Sequence, residues 1–195
     1  MSSEAGKPDT RHRILEAALE LMRRGAAGAS LVQIARHAGV SRQAVYLHFA
    51  DRAALFLALV RHVDAQRDLA GALKRLDEAP TGVAALQAAV DMQADLNPGL
   101  YPIAAAMDAV RRQDEALEQA WQDRLANRLR GARAIADRLA AEGALRQGLA
   151  PDTAADLIWT MISLRMWEDL VVGRGWTAER YREHVGEALR RALLA

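Results

Sequence analysis

Apolar positions along this chain recur with the period of a helix, and no stretch alternates apolar and polar residues as a strand does. Asp9 or Thr10 can cap a first helix that runs to about Arg24. It places Ile14, Leu15, Ala18, Leu21 and Met22 on one stripe and leaves Arg11, Arg13, Arg23 and Arg24 off it. Gly25-Ala26-Ala27-Gly28 ends that helix, and Ser30-Leu31-Val32-Gln33 has the form of a capping box for a short second one. Gly39 stands where a helix C-terminus needs a left-handed residue, and Ser41 can cap a third helix. Asp51 opens a fourth, Arg52 to about Leu76, carrying Leu55, Leu59, His62 and Val63 at helical spacing.

Beyond it, Pro80-Thr81 starts a helix to about Leu96, which Asn97-Pro98-Gly99 is expected to break. Further helices follow from Leu100 to about Arg112, Asp114 to about Glu142, Pro151 to about Val172, and Thr177 to about Leu194. The expected fold is all-α, about nine helices, with a three-helix head (residues 1–55) on a larger helical body (56–195).

The third helix is the informative one. At about 100° per residue, Val45 and Phe49 share one edge, while Arg42, Gln43, Tyr46 and Leu47 occupy a neighbouring arc. A guanidinium, an amide, a phenol and an apolar tip can bridge phosphates, read a purine edge and touch a thymine methyl. A short helix, a Gly-Val-Ser turn and such a helix make the pattern of a helix-turn-helix whose second helix enters a DNA groove. Ser30, Gln33, Ser41, Ala44 and His48 are counted with that surface.

Composition sharpens this picture. With 51% hydrophobic residues, 195 residues suffice for a buried core. Cysteine is absent, which excludes disulfides, a thiolate nucleophile and a cysteine-ligated zinc. The polar N-terminus has no apolar run and no segment reaches the length of a membrane span, so a cytoplasmic protein without a membrane partner is expected. Net charge is +1, but the segment through Arg61 has nine Lys or Arg against five Asp or Glu. A basic head on a mildly acidic body suits a phosphate-facing segment. The histidines at 12, 37, 48, 62 and 184 are scattered, and no H-E-x-x-H, G-x-S-x-G or phosphate-loop string occurs. No catalytic residue, metal ligand or cofactor is therefore expected.

Two groups of body residues invite a role. Met92, Leu96, Tyr101, Ile103, Met107 and Trp121 combine adaptable methionines with rigid aromatics, as a lining for a small apolar or amphipathic effector would, and His62 could join them. Leu157, Met161, Leu164 and Trp167 belong to an apolar surface too broad for one amphipathic face, so one side should face a second subunit.

Ile34-Ala35-Arg36-His37-Ala38-Gly39-Val40-Ser41, followed by Val45-Tyr46-Leu47-His48-Phe49 and Arg52-Ala53-Ala54-Leu55, resembles the DNA-binding head of TetR/AcrR-type transcriptional regulators. Trp167-Glu168-Asp169-Leu170 and the Gly-Trp-Thr start of the last helix are similar to that family's C-terminal half. The resemblance implies a homodimer on a palindromic operator in double-stranded DNA, with each third helix in a major groove, a small-molecule pocket in the middle helices, and a four-helix dimer bundle. It implies base reading by Arg42 and Gln43, a phosphate contact at Tyr46, a backbone-side place for His48 and a phosphate grip at Arg52. Repression relieved by an effector is the usual outcome in that family. A helical protein-interaction module with a merely structural helix-turn-helix is the alternative.

Overall fold

The computed structural model describes residues 9–26 and 28–195. Among these it contains no strand, and its helices are α1 (Thr10–Arg23), α2 (Leu31–Ala38), α3 (Arg42–His48), α4 (Arg52–Gln66), α5 (Leu69–Asp77), α6 (Gly82–Asp108), α7 (Glu115–Ala141), α8 (Pro151–Met161), α9 (Leu164–Trp167) and α10 (Ala178–Leu193). A 3-10 turn at Arg111–Gln113 precedes α7, and a π-helical turn at Glu168–Gly173 follows α9. No single described helix is long and apolar enough to cross a membrane.

Two compact units emerge. One contains the described residues of Met1–Val63 together with Pro102–Ala120; the other contains Asp64–Tyr101 and Trp121–Ala195. In the first, Ile14, Leu15, Ala18, Leu19 and Met22 of α1 are buried, as are Ile34 and Ala35 of α2, Val45 and Phe49 at α3, and Leu55, Phe56 and Leu59 of α4. Leu19 is fully buried, and Leu21 lies at the edge of the stripe. In the second, Ala89, Val90 and Ala94 of α6, Ile135, Ala136 and Leu139 of α7, Ile158 of α8 and Trp167 of α9 close around Tyr181, Val185 and Leu189 of α10. Trp167 and Tyr181 meet edge to face, ring centroids 5.0 Å apart, a geometry that aromatic quadrupoles favour.

Three element boundaries differ from the sequence expectation. The helix expected from Arg52 to about Leu76 is two, because Asp68 adopts a left-handed φ of 51°. From there its carboxylate accepts the Gly71 amide at 3.1 Å and caps α5. Gly71 makes this possible: a Cβ there would stand 2.1 Å from Asp68 Oδ2.

The break expected at Asn97-Pro98-Gly99 does not occur, and α6 runs through it. Pro98 lacks the N–H that would reach the Ala94 carbonyl, yet it sits on the exposed side. Leu96, Asn97, Gly99 and Leu100 around it are buried. Keeping these residues in helical register outweighs the interior-proline penalty of about 3 kcal/mol.

The helix expected from Pro151 to about Val172 ends at Met161. Ser163 then takes extended dihedrals and accepts the Met166 amide at 3.1 Å, starting α9 anew.

Candidate nucleic-acid interface

The head is built from short helices whose ends are fixed by their own side chains. Ser30 and Gln33 form the reciprocal capping box of α2: the Ser30 amide donates to Gln33 Oε1 at 2.8 Å and the Gln33 amide to Ser30 Oγ at 3.3 Å. Both side chains are thus engaged by α2 itself, although both residues are exposed. Gly39 ends α2 with a φ of 63°. Ser41 Oγ then accepts the Ala44 amide at 3.1 Å to begin α3, and Asp51 does the same for α4, accepting the Ala54 amide at 2.7 Å.

Those caps set the rotation of α3. Val45 is 0% and Phe49 2% exposed, whereas Tyr46 is 43% and Leu47 80% exposed. Ser41, Arg42, Gln43 and His48 are exposed as well, Ala44 and Arg52 partly so. Solvent therefore reaches the arc of guanidinium, amide, phenol and apolar tip. Arg42 lies over the Tyr46 ring with its guanidinium carbon 5.4 Å from the centroid, and its Nη2 donates to the Tyr46 hydroxyl at 3.4 Å. The two side chains hold one another extended from the helix. Arg52 stacks on Phe56 at 5.3 Å, and Arg11 on Phe49 at 5.5 Å.

Arg13 has a role that the apolar stripe alone could not assign. Its Nη2 donates to the Ala38 carbonyl at 2.7 Å and the Gly39 carbonyl at 3.1 Å. A cation at the C-terminus of α2 satisfies carbonyls that a helix end leaves unpaired, and it locks the turn that aims α3. Its position off the apolar stripe is the trace of this role in the sequence. Glu20 pairs with His37 across the same two helices at 2.8 Å. The hydrogen bond from His37, then the charge of Arg24, hold its carboxyl below the ordinary range.

The residues proposed for an effector fall in both compact units. His62, Ile103 and Met107 belong to the first; Met92, Leu96, Tyr101 and Trp121 to the second. Leu96, Ile103 and Met107 are buried. The Tyr101 hydroxyl donates to Glu168 at 3.0 Å, and burial first, then that carboxylate, raise its pKa. His62 meets Glu16 of α1 at 2.6 Å. Sequence reasoning missed Asn97, which is fully buried on α6 with neither side-chain atom hydrogen-bonded.

Of the residues proposed for a subunit interface, Trp167 is taken up by the core around Tyr181, while Leu157, Met161 and Leu164 are half-buried.

Comparison with known proteins places this geometry. Residues 14–59 match the family described as "Bacterial regulatory proteins, tetR family". No curated protein matches the chain. Among solved structures, it is 26% identical to NalD, the secondary repressor of the MexAB-OprM multidrug efflux pump in Pseudomonas aeruginosa, over 95% of each chain, with a TM-score of 0.69. A TetR-family transcriptional regulator from Mesorhizobium loti is 25% identical over 95% of this chain and 97% of its own, TM-score 0.65. A transcriptional regulator from Saccharomonospora viridis, solved with choline, is 18% identical over 97% of this chain and 100% of its own, TM-score 0.78. The head, residues 14–59, thus matches the DNA-binding segment of tetR-family bacterial regulatory proteins, and along its length the chain has the fold of solved transcriptional regulators of that family.

Proposed function

We propose that the protein is a homodimeric, cytoplasmic repressor that binds a palindromic operator and is released from it by a small apolar or amphipathic effector. The observation that carries this reading is the division of α3 into a buried edge, Val45 and Phe49, and an open arc, Arg42, Gln43, Tyr46 and Leu47. A helix present only for stability has no physical need to keep a guanidinium, an amide and a phenol together in solvent. On DNA, Arg42 and Gln43 read base edges in the major groove, Leu47 meets a thymine methyl, and Tyr46 and Arg52 grip phosphates. Ser41, Ala44 and His48 border the same arc, and Ser30 and Gln33 present the N-terminus of α2 to the backbone.

A dimer engages one face of DNA when its two α3 helices are about 34 Å apart. An effector lowers affinity by binding better to a form with a different spacing, with a coupling of about 1–3 kcal/mol. Met92, Leu96, Tyr101 and Trp121 are the effector-binding residues proposed in the second unit; His62, Ile103 and Met107 are those proposed in the first. The partly exposed Leu157, Met161 and Leu164, backed by Trp167, are the proposed subunit surface. The repressor role of NalD supports the reading, and the choline bound by the Saccharomonospora viridis regulator shows that this fold can hold a small molecule. The test is selection of bound sequences from random DNA with the purified protein. The proposal expects an inverted repeat whose half-sites are centred about one helical turn, or a geometric equivalent, apart. Recovery of unenriched sequence would favour the protein-interaction reading.

A further inference from the structure

We propose that His12, Glu16 and His62 form a binding site for a divalent transition-metal ion within the head. His12 and Glu16 are one turn apart on α1, so their side chains project side by side, and His62 reaches them from the C-terminal half of α4. One donor atom from each residue lies within 4.8 Å of the other two. His62 Nε2 is 2.6 Å, and His12 Nε2 4.0 Å, from the same Glu16 oxygen. The two imidazoles meet edge to face with centroids 5.1 Å apart.

A tetrahedral ion with bonds of about 2.0–2.1 Å separates its ligand atoms by roughly 3.3–3.4 Å. The Glu16–His62 distance has to lengthen and the Glu16–His12 distance to shorten, each by less than about 1 Å, and the His12–His62 pair, within 4.8 Å, has to close by at most about 1.5 Å, which side-chain torsions supply. A plain hydrogen bond accounts for the Glu16–His62 contact. The second imidazole stands 4.0 Å from the same oxygen, so a cation between the three has a donor atom from each within reach. Two neutral imidazoles and a carboxylate suit zinc, nickel or cobalt, and three protein ligands leave a position for water. Entry is open: the His12 and Glu16 side chains are 49% and 39% exposed. Both also line a concavity of about 600 Å³ whose walls include Glu20 and His37. The consequence is that a bound metal adds His12 to the link that Glu16 and His62 already make between α1 and α4.

Titration of the chelator-treated full chain with Co(II), followed by its visible ligand-field bands and competed with Zn(II), tests the site. The expected result is saturable binding of one ion per chain, with a higher melting temperature when loaded. His12→Gln and His62→Gln are expected to lower affinity about 100-fold or more, and His184→Gln, on α10, to leave it unchanged. Glu16→Gln retains an oxygen to accept from His62, so it removes the anionic ligand while the fold, checked by circular dichroism, persists. Absence of one-to-one binding overturns the site. So does binding that survives all three ligand substitutions, or binding lost equally in His184→Gln.

Discussion

The head and the second unit both start helices with local side-chain caps, but they differ in how much long-range side-chain bonding ties helix to helix. In the head, Ser30, Ser41 and Asp51 each cap a helix from three residues before the amide they accept. In the second unit Asp68, Ser163 and Thr177 cap helices in the same way, and several arginines reach far along the chain between its long helices, as Arg13 does in the head. Arg128 on α7 donates to the carbonyls of Trp159 and Ile162 at 3.0 and 3.2 Å. Arg138 donates to the Ala79 carbonyl at 2.6 Å. Arg182 of α10 bridges Asp91 and Asp95 of α6 at 3.3 and 2.6 Å. Local caps define the direction of a short helix with little surrounding core, as a surface presented to a partner requires. Long-range arginines tie helix to helix, and their removal exposes groups on elements remote in sequence.

The strongest challenge to this contrast is Arg128→Met. Methionine keeps an apolar stem beside Trp159, where the guanidinium stacks at 5.8 Å, but leaves two carbonyls at the end of α8 without their donor. The expected loss is about 2–4 kcal/mol in urea denaturation, and an unchanged midpoint contradicts the role given to Arg128. Asn97→Leu should act in the opposite direction. A fully buried amide with no hydrogen-bond partner costs stability that an apolar side chain of similar volume restores, so the midpoint should rise by about 1–2 kcal/mol; a fall shows that the amide is used. Ser41→Ala tests the head's side of the contrast. Losing one N-cap should cost about 1 kcal/mol, with faster amide exchange confined to α3 and its turn, and exchange that speeds up equally in α8 would break the distinction.

The smallest effect expected is one of pH. Glu20 keeps its carboxylate to lower pH in the folded chain than in the unfolded one, because of His37 and then Arg24. Its contribution is present in full above the ordinary carboxylate pKa and is lost as the pH falls through the lowered one. Glu20→Gln should therefore flatten the acid limb of the stability curve, and leave the neutral region nearly unaltered at high salt.

The same contrast explains what could be read from residues alone. Ser30-x-x-Gln33, Gly39, Ser41 and the alternation of edges on α3 act within a few residues, and each has the expected place in the structure. Asp68, Pro98 and Ser163 look different in isolation because their conformations are decided elsewhere. Asp68 turns left-handed where Gly71 leaves room for its carboxylate. Pro98 is carried through α6 by the buried residues on either side of it. Ser163 restarts the helix next to carbonyls held by Arg128, a residue 34 positions from Ile162. Sequence spacing likewise could not show that Arg13 would reach Ala38, or that His62 would meet Glu16 across 46 residues. Such pairings appear only after helices pack.

The open arc of α3 is the proposed DNA-binding face, and a salt titration of DNA affinity measures it. With a sequence recovered by selection, fluorescence anisotropy of Arg42→Ala and Tyr46→Ala should show affinity at least about 10-fold below that of the parent. The Tyr46 variant should fall by a similar factor on unrelated DNA, whereas the Arg42 variant should also lose discrimination between bases. For the parent, log affinity should decline steeply and linearly with log salt. Parental affinity in both variants, together with a flat salt response, would contradict the assignment of this face to DNA.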